Sequence, residues 1–230
     1  TKHVGLTDMA AANLRNQAAG MVHIAAPQVI AGMILPKIVK DYTGQHRKVV
    51  IVIRDTPVEG LVDAVSTGEV DLAVGPDRPY GAGTDREPLF ESPWVLWCSP
   101  QHSLAAKPAV DWDDLKGHPI VAAGRDHEHS VARMRSDLPE DKRITPSIIV
   151  DHVSTALGMA AADHAITLSP AYVGILARPL GLVMRRIIKP ESIRQICLYR
   201  STRRAPSPAS AGFAEHLIEW MASHEEEYGT

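Results

Sequence analysis

Cysteine, excess positive charge and long apolar runs are all scarce in this chain, and each scarcity removes a class of protein. The two cysteines, Cys98 and Cys197, are too few for a disulfide framework and form no CxxC pair suited to zinc or redox chemistry. No stretch approaches the ~18 consecutive apolar residues of a membrane span, and no basic-then-apolar leader opens the chain. The formal net charge is −3, and the densest basic stretches, Arg185-Arg186 and Arg200 to Arg204, are short. A duplex-binding surface needs clustered cations to displace counterions, so binding of DNA by these residues is not expected. Gly-x-Ser-x-Gly, a glycine-rich phosphate loop and a Ser-His-Asp order are missing as well. These absences leave no catalytic set to name, and no cofactor or enzymatic activity is expected.

What is present is a strand–helix alternation that runs, breaks and runs again. Met21–Ala26 is an apolar strand, Ile30–Pro36 opens a helix, and Val49–Ile53 is a second strand. Val58, Leu61, Val62 and Val65 then mark a helix ahead of the strand in Gly68–Gly75. The second run has strands at Pro119–Ala123, Ser147–Val150 and Ala165–Leu168, with a helix from Val153. Strands alternating with helices at this spacing predict parallel sheets with crossover helices, so each run reads as one α/β lobe. A chain of 230 residues with 45% hydrophobic content suits two lobes of ordinary domain size. The expected division is lobe I at 21–92 and 200–230, crossover strands at 93–99 and 193–199, and lobe II at 100–192, with 1–20 ahead of the first strand. Residues 6–19 carry a loose helical pattern that Gly20 stops.

Local signals add detail. Thr56-Pro57, Ser169-Pro170 and Ser207-Pro208 each suggest a hydroxyl cap followed by proline at the first helical position, and Glu59 completes a capping box with Thr56. Pro36 must lie in the first turn of its helix or kink it. Pro76–Pro88 reads as a polar loop, Asp111–Leu115 as a short helix, Ile193–Tyr199 as the return strand, and residues 209–222 as a helix packing on lobe I. Cys98 and Cys197 both fall in segments expected to cross between lobes, which makes them candidate neighbours; reduced and buried, each would act as a small hydrophobe.

In open α/β sheets ligands sit beyond the carboxyl ends of the strands, where helix N-termini offer free amides to anions. Two lobes with a cleft between them are therefore expected to hold a small molecule, most plausibly an organic anion. The candidate contacts are Pro27, Gln28, Val29, Thr56, Pro57, Arg78, Arg125, His127, His129 and Ser154, with Trp94 or Trp97 available for stacking. Each has a structural alternative: Thr56 and Ser154 as helix caps, the arginines as solvated loop charges, Gln28 as an ordinary loop residue. Asp126-His-Glu-His129 is the one cluster resembling a metal site, with only His152 and His164 as further donors, and metal binding is not expected.

Four segments also carry a family resemblance: Gly68–Val74, Pro100–Ala105, Ala156–Pro170 and Ser207–Phe213. In order and spacing they resemble the effector-binding domain of LysR-type transcriptional regulators, over about residues 20–222. Ser103 replaces the proline usual after His102, and Asp163 and Ala165 stand where two glycines are common. The stretch Pro27-Gln28-Val29 lacks the usual hydroxyl, so the effector contact there is not carried over. The resemblance implies two Rossmann-like lobes of the type 2 periplasmic-binding-protein kind, with residues 1–20 as the tail of a linker helix. It implies a cytoplasmic regulator that binds a small effector, pairs as a homodimer (a tetramer in the full protein) and meets promoter DNA through an N-terminal helix-turn-helix domain ahead of Thr1. The dimer is expected to use helix 29–42 and the first helix of lobe II. A transporter's solute-binding protein and a small-acid enzyme on the same scaffold are the alternatives.

Overall fold

The computed structural model describes residues 20–124, 127, 131 and 144–228. The helix expected at 6–19, most of the Asp126–His129 cluster, and the candidates Arg125 and His129 lie outside the described residues. The chain divides into two compact units, one running through Phe90 and resuming at Gln195–Glu225, the other holding Glu91–Arg194 and the residues from Glu226 on.

In the first unit β1 (Met21–Ala26) lies between β2 (Val50–Asp55) and β3 (Leu72–Pro76), parallel to both. Register runs from Met21 opposite Val50 to Ala26 opposite Asp55. β10 (Ile193–Ser201) pairs antiparallel with β3. β1 and β3 are the apolar runs that a strand covered on both faces requires, and Ile24, Ala25 and Ala73 are wholly buried. Helical backbone begins at Gln28, widens into a π turn at Ile30–Ile34 and continues as α1 (Leu35–Gln45). The π turn lies just before Pro36, where the amide of Leu35 reaches back to the carbonyl of Ile30. Pro36 is thus an interior residue of the whole helical stretch, and a change of winding accompanies it. α2 (Leu61–Ser66) follows a 3-10 turn at Val58–Gly60. α5 (Pro208–Ser223) covers the same core with Phe213, Leu217 and Met221, and the rings of Tyr42 and Phe213 meet edge to face at 5.2 Å.

In the second unit the order is β5 (Ala109–Asp111), β9 (Val183–Ile188), β4 (Thr84–Cys98), β8 (Ile166–Pro170), β6 (Ile120–Ala123) and β7 (Ile148–Val150). β6, β7 and β8 are parallel, and β4 is antiparallel to β8 and β9. α3 (Val153–Ala161) joins β7 to β8, and α4 (Gly174–Ala177) follows β8. Trp94, Leu96, Trp112, Leu115, Ile166 and Ile187 form one core.

Several expectations fail for identifiable reasons. The loop expected through Pro88 ends early, because β4 already begins at Thr84, and Arg200 on β10 holds Asp85 and Glu87 at 3.1 and 2.6 Å. Asp111–Leu115 is not a helix. Asp111 and Asp114 each accept the other's amide at 3.0 Å, and Trp112 is drawn in to donate to the carbonyl of Pro190. Such side-chain bonds compete with helical ones. Of the three hydroxyl–proline pairs only Ser207 caps: its Oγ accepts the amide of Ser210 at 3.1 Å, with Pro208 first in the helix. Pro57 (ψ 149°) and Pro170 (ψ 148°) are themselves the extended residues before their 3-10 turns, which moves Thr56 and Ser169 off the cap position. The capping box with Glu59 is therefore not formed. Residues from Glu226 on belong with the second unit, where Ser92 donates to the carbonyl of Tyr228, rather than with the first lobe. Cys197 packs in the first unit's core and Cys98 in the second's, both buried and neither in a disulfide. Burial pushes the Cys98 thiol up, away from thiolate reactivity.

Candidate functional site

The carboxyl ends of the parallel strands gather most of the candidate residues within each unit. In the first unit the amide of Thr56, just past β2, donates to the carbonyl of Ala26 at the end of β1. The helical stretch opens beside it, with its first internal bond from Ala31 to the carbonyl of Pro27 at 2.8 Å. The amides of Gln28, Val29 and Ile30 therefore have no intrahelical acceptor, and the helix dipole points its positive end here. Gln28 is exposed, Pro27 and Thr56 are half-buried, and Pro57 is exposed. Val29 turns inward at 4% exposure, so its side chain packs in the core instead of offering a contact. The hydroxyl of Thr56 donates only to the carbonyl of Arg54, at 3.3 Å. Gly75 near the end of β3 has no room for a side chain: a Cβ there would stand 2.3 Å from Leu61 Cδ1 and 3.3 Å from Pro27 Cδ.

Arg78 follows β3, half-buried, and a residue that the sequence did not single out anchors it. The buried hydroxyl of Tyr199 on β10 donates to the carbonyl of Pro76 at 2.9 Å and accepts the amide of Arg78 at 2.8 Å. Burial, and then the neighbouring Cys197, push the Tyr199 phenol up to about 12, so it stays a donor at all ordinary pH. Nothing in the return strand's pattern distinguishes this tyrosine from a core aromatic; only the fold places it against the loop.

In the second unit β6 ends at Gly124 in a left-handed conformation (φ 72°), close to the carbonyl of Asp151 after β7. His127 meets the ring of Trp94 edge to face at 5.3 Å. Trp94 and Trp97 are 2% and 0% exposed, so neither presents a free face for stacking. Ser154 lies in the first turn of α3, half-buried, but His152 occupies the cap position, without a side-chain bond. Ser169, next to last in β8, has a buried Oγ with no hydrogen-bond partner among the described residues. Ser92 accepts the amide of Tyr172 at 3.0 Å and so ties β4 to the turn after β8. Among the described residues no three His, Cys, Asp or Glu side chains converge as a metal site.

Each unit thus holds the same device, a helix start beside parallel strand ends with polar side chains around it. That arrangement defines the ligand-binding class of open α/β domains. Solved structures with this fold include the effector-binding domain of QuiR in complex with shikimate, with a TM-score of 0.77 at 15% identity over 89% of this chain and 98% of that one. The effector-binding domain of BenM with benzoate gives a TM-score of 0.72 at 19% identity, over 91% of this chain and 95% of that one. Residues 15–222 match the LysR substrate binding domain, and the chain belongs to that family. The HTH-type transcriptional regulator YfeR of Shigella flexneri is 26% identical over 84% of the chain, and YbhD of Escherichia coli is 22% identical over 86%. The chain spans 63% of the length of each.

Proposed function

We propose that this domain binds a small organic carboxylate at the carboxyl ends of its parallel strands and thereby controls a LysR-type transcription regulator. The observation that carries this reading is the opening of the helical stretch at Gln28, where the first amides lack intrahelical acceptors beside the β2 end that bears Thr56. Shikimate and benzoate, the molecules bound to the similar QuiR and BenM domains, are both carboxylates. Gln28, Thr56 and Arg78 are the contacts proposed at the first unit's strand ends. Binding biases an equilibrium between states of the protein by its differential affinity for them. The DNA is met by a helix-turn-helix portion of the whole protein, as the names of the HTH-type relatives suggest. The domain self-associates as a dimer, with tetramers in the whole protein, and acts in the cytoplasm where the promoter is. No helix among the described residues is long and apolar enough to cross a membrane.

Calorimetry with a panel of aromatic, alicyclic and aliphatic carboxylates tests the reading. At least one acid is expected to bind, and Gln28→Ala and Thr56→Ala are each expected to weaken it several-fold. An acid that binds both variants with unchanged affinity places the ligand elsewhere, and a panel without a binder overturns the carboxylate class.

A further inference from the structure

A partly open cavity in the first unit lies at the other ends of its strands. It has a volume of about 390 Å³ and is bounded by Met21, which opens β1, Leu72, which opens β3, and Arg200 and Ser201, which close the antiparallel β10. Pro206, Ala211 and Ala214 give it an apolar wall from the start of α5. This size suits a small ligand, and an apolar wall with a few polar groups is the usual composition of a ligand pocket.

Charge decides what chemistry fits. Arg200 is matched by Asp85 and Glu87, and Asp71 accepts the amide of His23 at 2.8 Å with the His23 ring 3.7 Å away. Glu215 is exposed at the rim. Arg204 differs: its guanidinium donates only to the backbone carbonyls of Gly68 and Val70, at 3.4 and 2.9 Å, and has no carboxylate partner among the described residues. Gly68 (φ 80°) is the seat of this group, since a Cβ there would stand 2.4 Å from Arg204 Nη1. A half-buried cation fixed in place by neutral acceptors beside an apolar wall favours a carboxylate carrying an apolar body.

We propose that this cavity is a second small-molecule site, distinct from the strand carboxyl ends, which takes an aliphatic carboxylate with its head at Arg204 and its chain against Leu72, Pro206 and Ala211. Hexanoate is the probe, with hexylamine and hexanol as controls of equal size, and amide chemical shifts of the ¹⁵N-labelled domain are the readout. Hexanoate is expected to shift the amides of Leu72, Ser201 and Ala211 saturably while leaving those of Gln28 and Thr56 in place, and both controls to bind at least tenfold more weakly. Ala211→Leu, which fills the cavity from the helix surface and removes no hydrogen bond, is expected to weaken hexanoate at least tenfold. Hexylamine or hexanol binding as well as hexanoate overturns the assignment, as does an Ala211→Leu variant that binds normally. Hexanoate shifts confined to Gln28 and Thr56 also overturn it, while leaving the first site standing.

Discussion

Two threonine- and serine-proline pairs show how much a single backbone angle decides. Thr56 and Ser207 look equivalent in sequence, but only the Ser207 hydroxyl receives a helix amide, and it is buried at 6% exposure. Ser207→Ala is therefore expected to cost about 1 kcal/mol as a lost cap. Thr56→Ala, which loses one long bond to a carbonyl, is expected to stay within about 0.5 kcal/mol. Urea denaturation of both variants checks this contrast, and equal losses would contradict it. His102 supplies a pH-dependent counterpart. Its Nδ1 accepts the amide of Leu104 at 3.2 Å, opening the 3-10 turn at Ser103–Ala106, so the ring must be neutral to serve. Burial, and then His118 with its ring 4.8 Å away, lower its pKa below the ordinary 6.5, while Asp163 opposes them. Because the folded pKa lies below the unfolded one, the unfolded chain binds the proton more readily as pH falls below about 6.5. Stability is complete above that value and is lost on acidification toward the folded pKa. Denaturation midpoints are expected to fall between pH 7.5 and pH 5.5, and to fall less in His102→Asn; an identical drop in both would remove His102 as the cause.

Among elements, legibility tracked how completely a segment's pattern is local. β1, β3 and α5 stand close to where their apolar periodicity puts them, because strands buried on both faces and a one-sided helix leave plain signatures. β9 is not legible, because Arg185-Arg186 in its middle interrupts the apolar pattern. In the fold Arg185 reaches the carbonyls of Ala105 and Met184, and Arg186 pairs with Glu191. The same holds for the site. The strand ends are visible in sequence, whereas the Tyr199 anchor, the crowding at Gly75 and the missing cap at Thr56 arise from contacts that distant segments make. Gly75 turns this into a prediction. A methyl there collides with Leu61 and Pro27, so Gly75→Ala is expected to cost about 1–3 kcal/mol by overpacking. Displacing Pro27 also moves the start of the helical stretch, so carboxylate affinity is expected to fall with stability. Thermal unfolding and calorimetry on the same variant measure both, and a stable variant with weakened binding would separate the two effects.

At the scale of the molecule the open sheet edges are what remain unaccounted for. β2 ends the first unit's sheet and β7 the second's, each paired on one side among the described residues. Both display apolar side chains to solvent, with Val50 at 51% and Ile149 at 53% exposure. Unpaired strand edges carrying exposed branched apolar residues invite association unless charge or proline blocks them; β2 has charge only at its end, in Arg54 and Asp55, and β7 has neither charge nor proline. The first unit's helical stretch offers a weaker surface, since Lys37 and Lys40 are exposed beside Pro36. Isologous pairing uses each surface twice through one two-fold operation, which makes a closed dimer the economical way to cover an open edge. Sedimentation velocity of the domain at high micromolar concentration is expected to show a dimer, and Val50→Lys combined with Ile149→Lys a monomer with unchanged far-ultraviolet dichroism. A wild-type monomer would refute the dimer itself. A dimer that survives both lysines would show instead that the edges stay open and that a surface such as the Gln28–Gln45 helical stretch holds the two copies together.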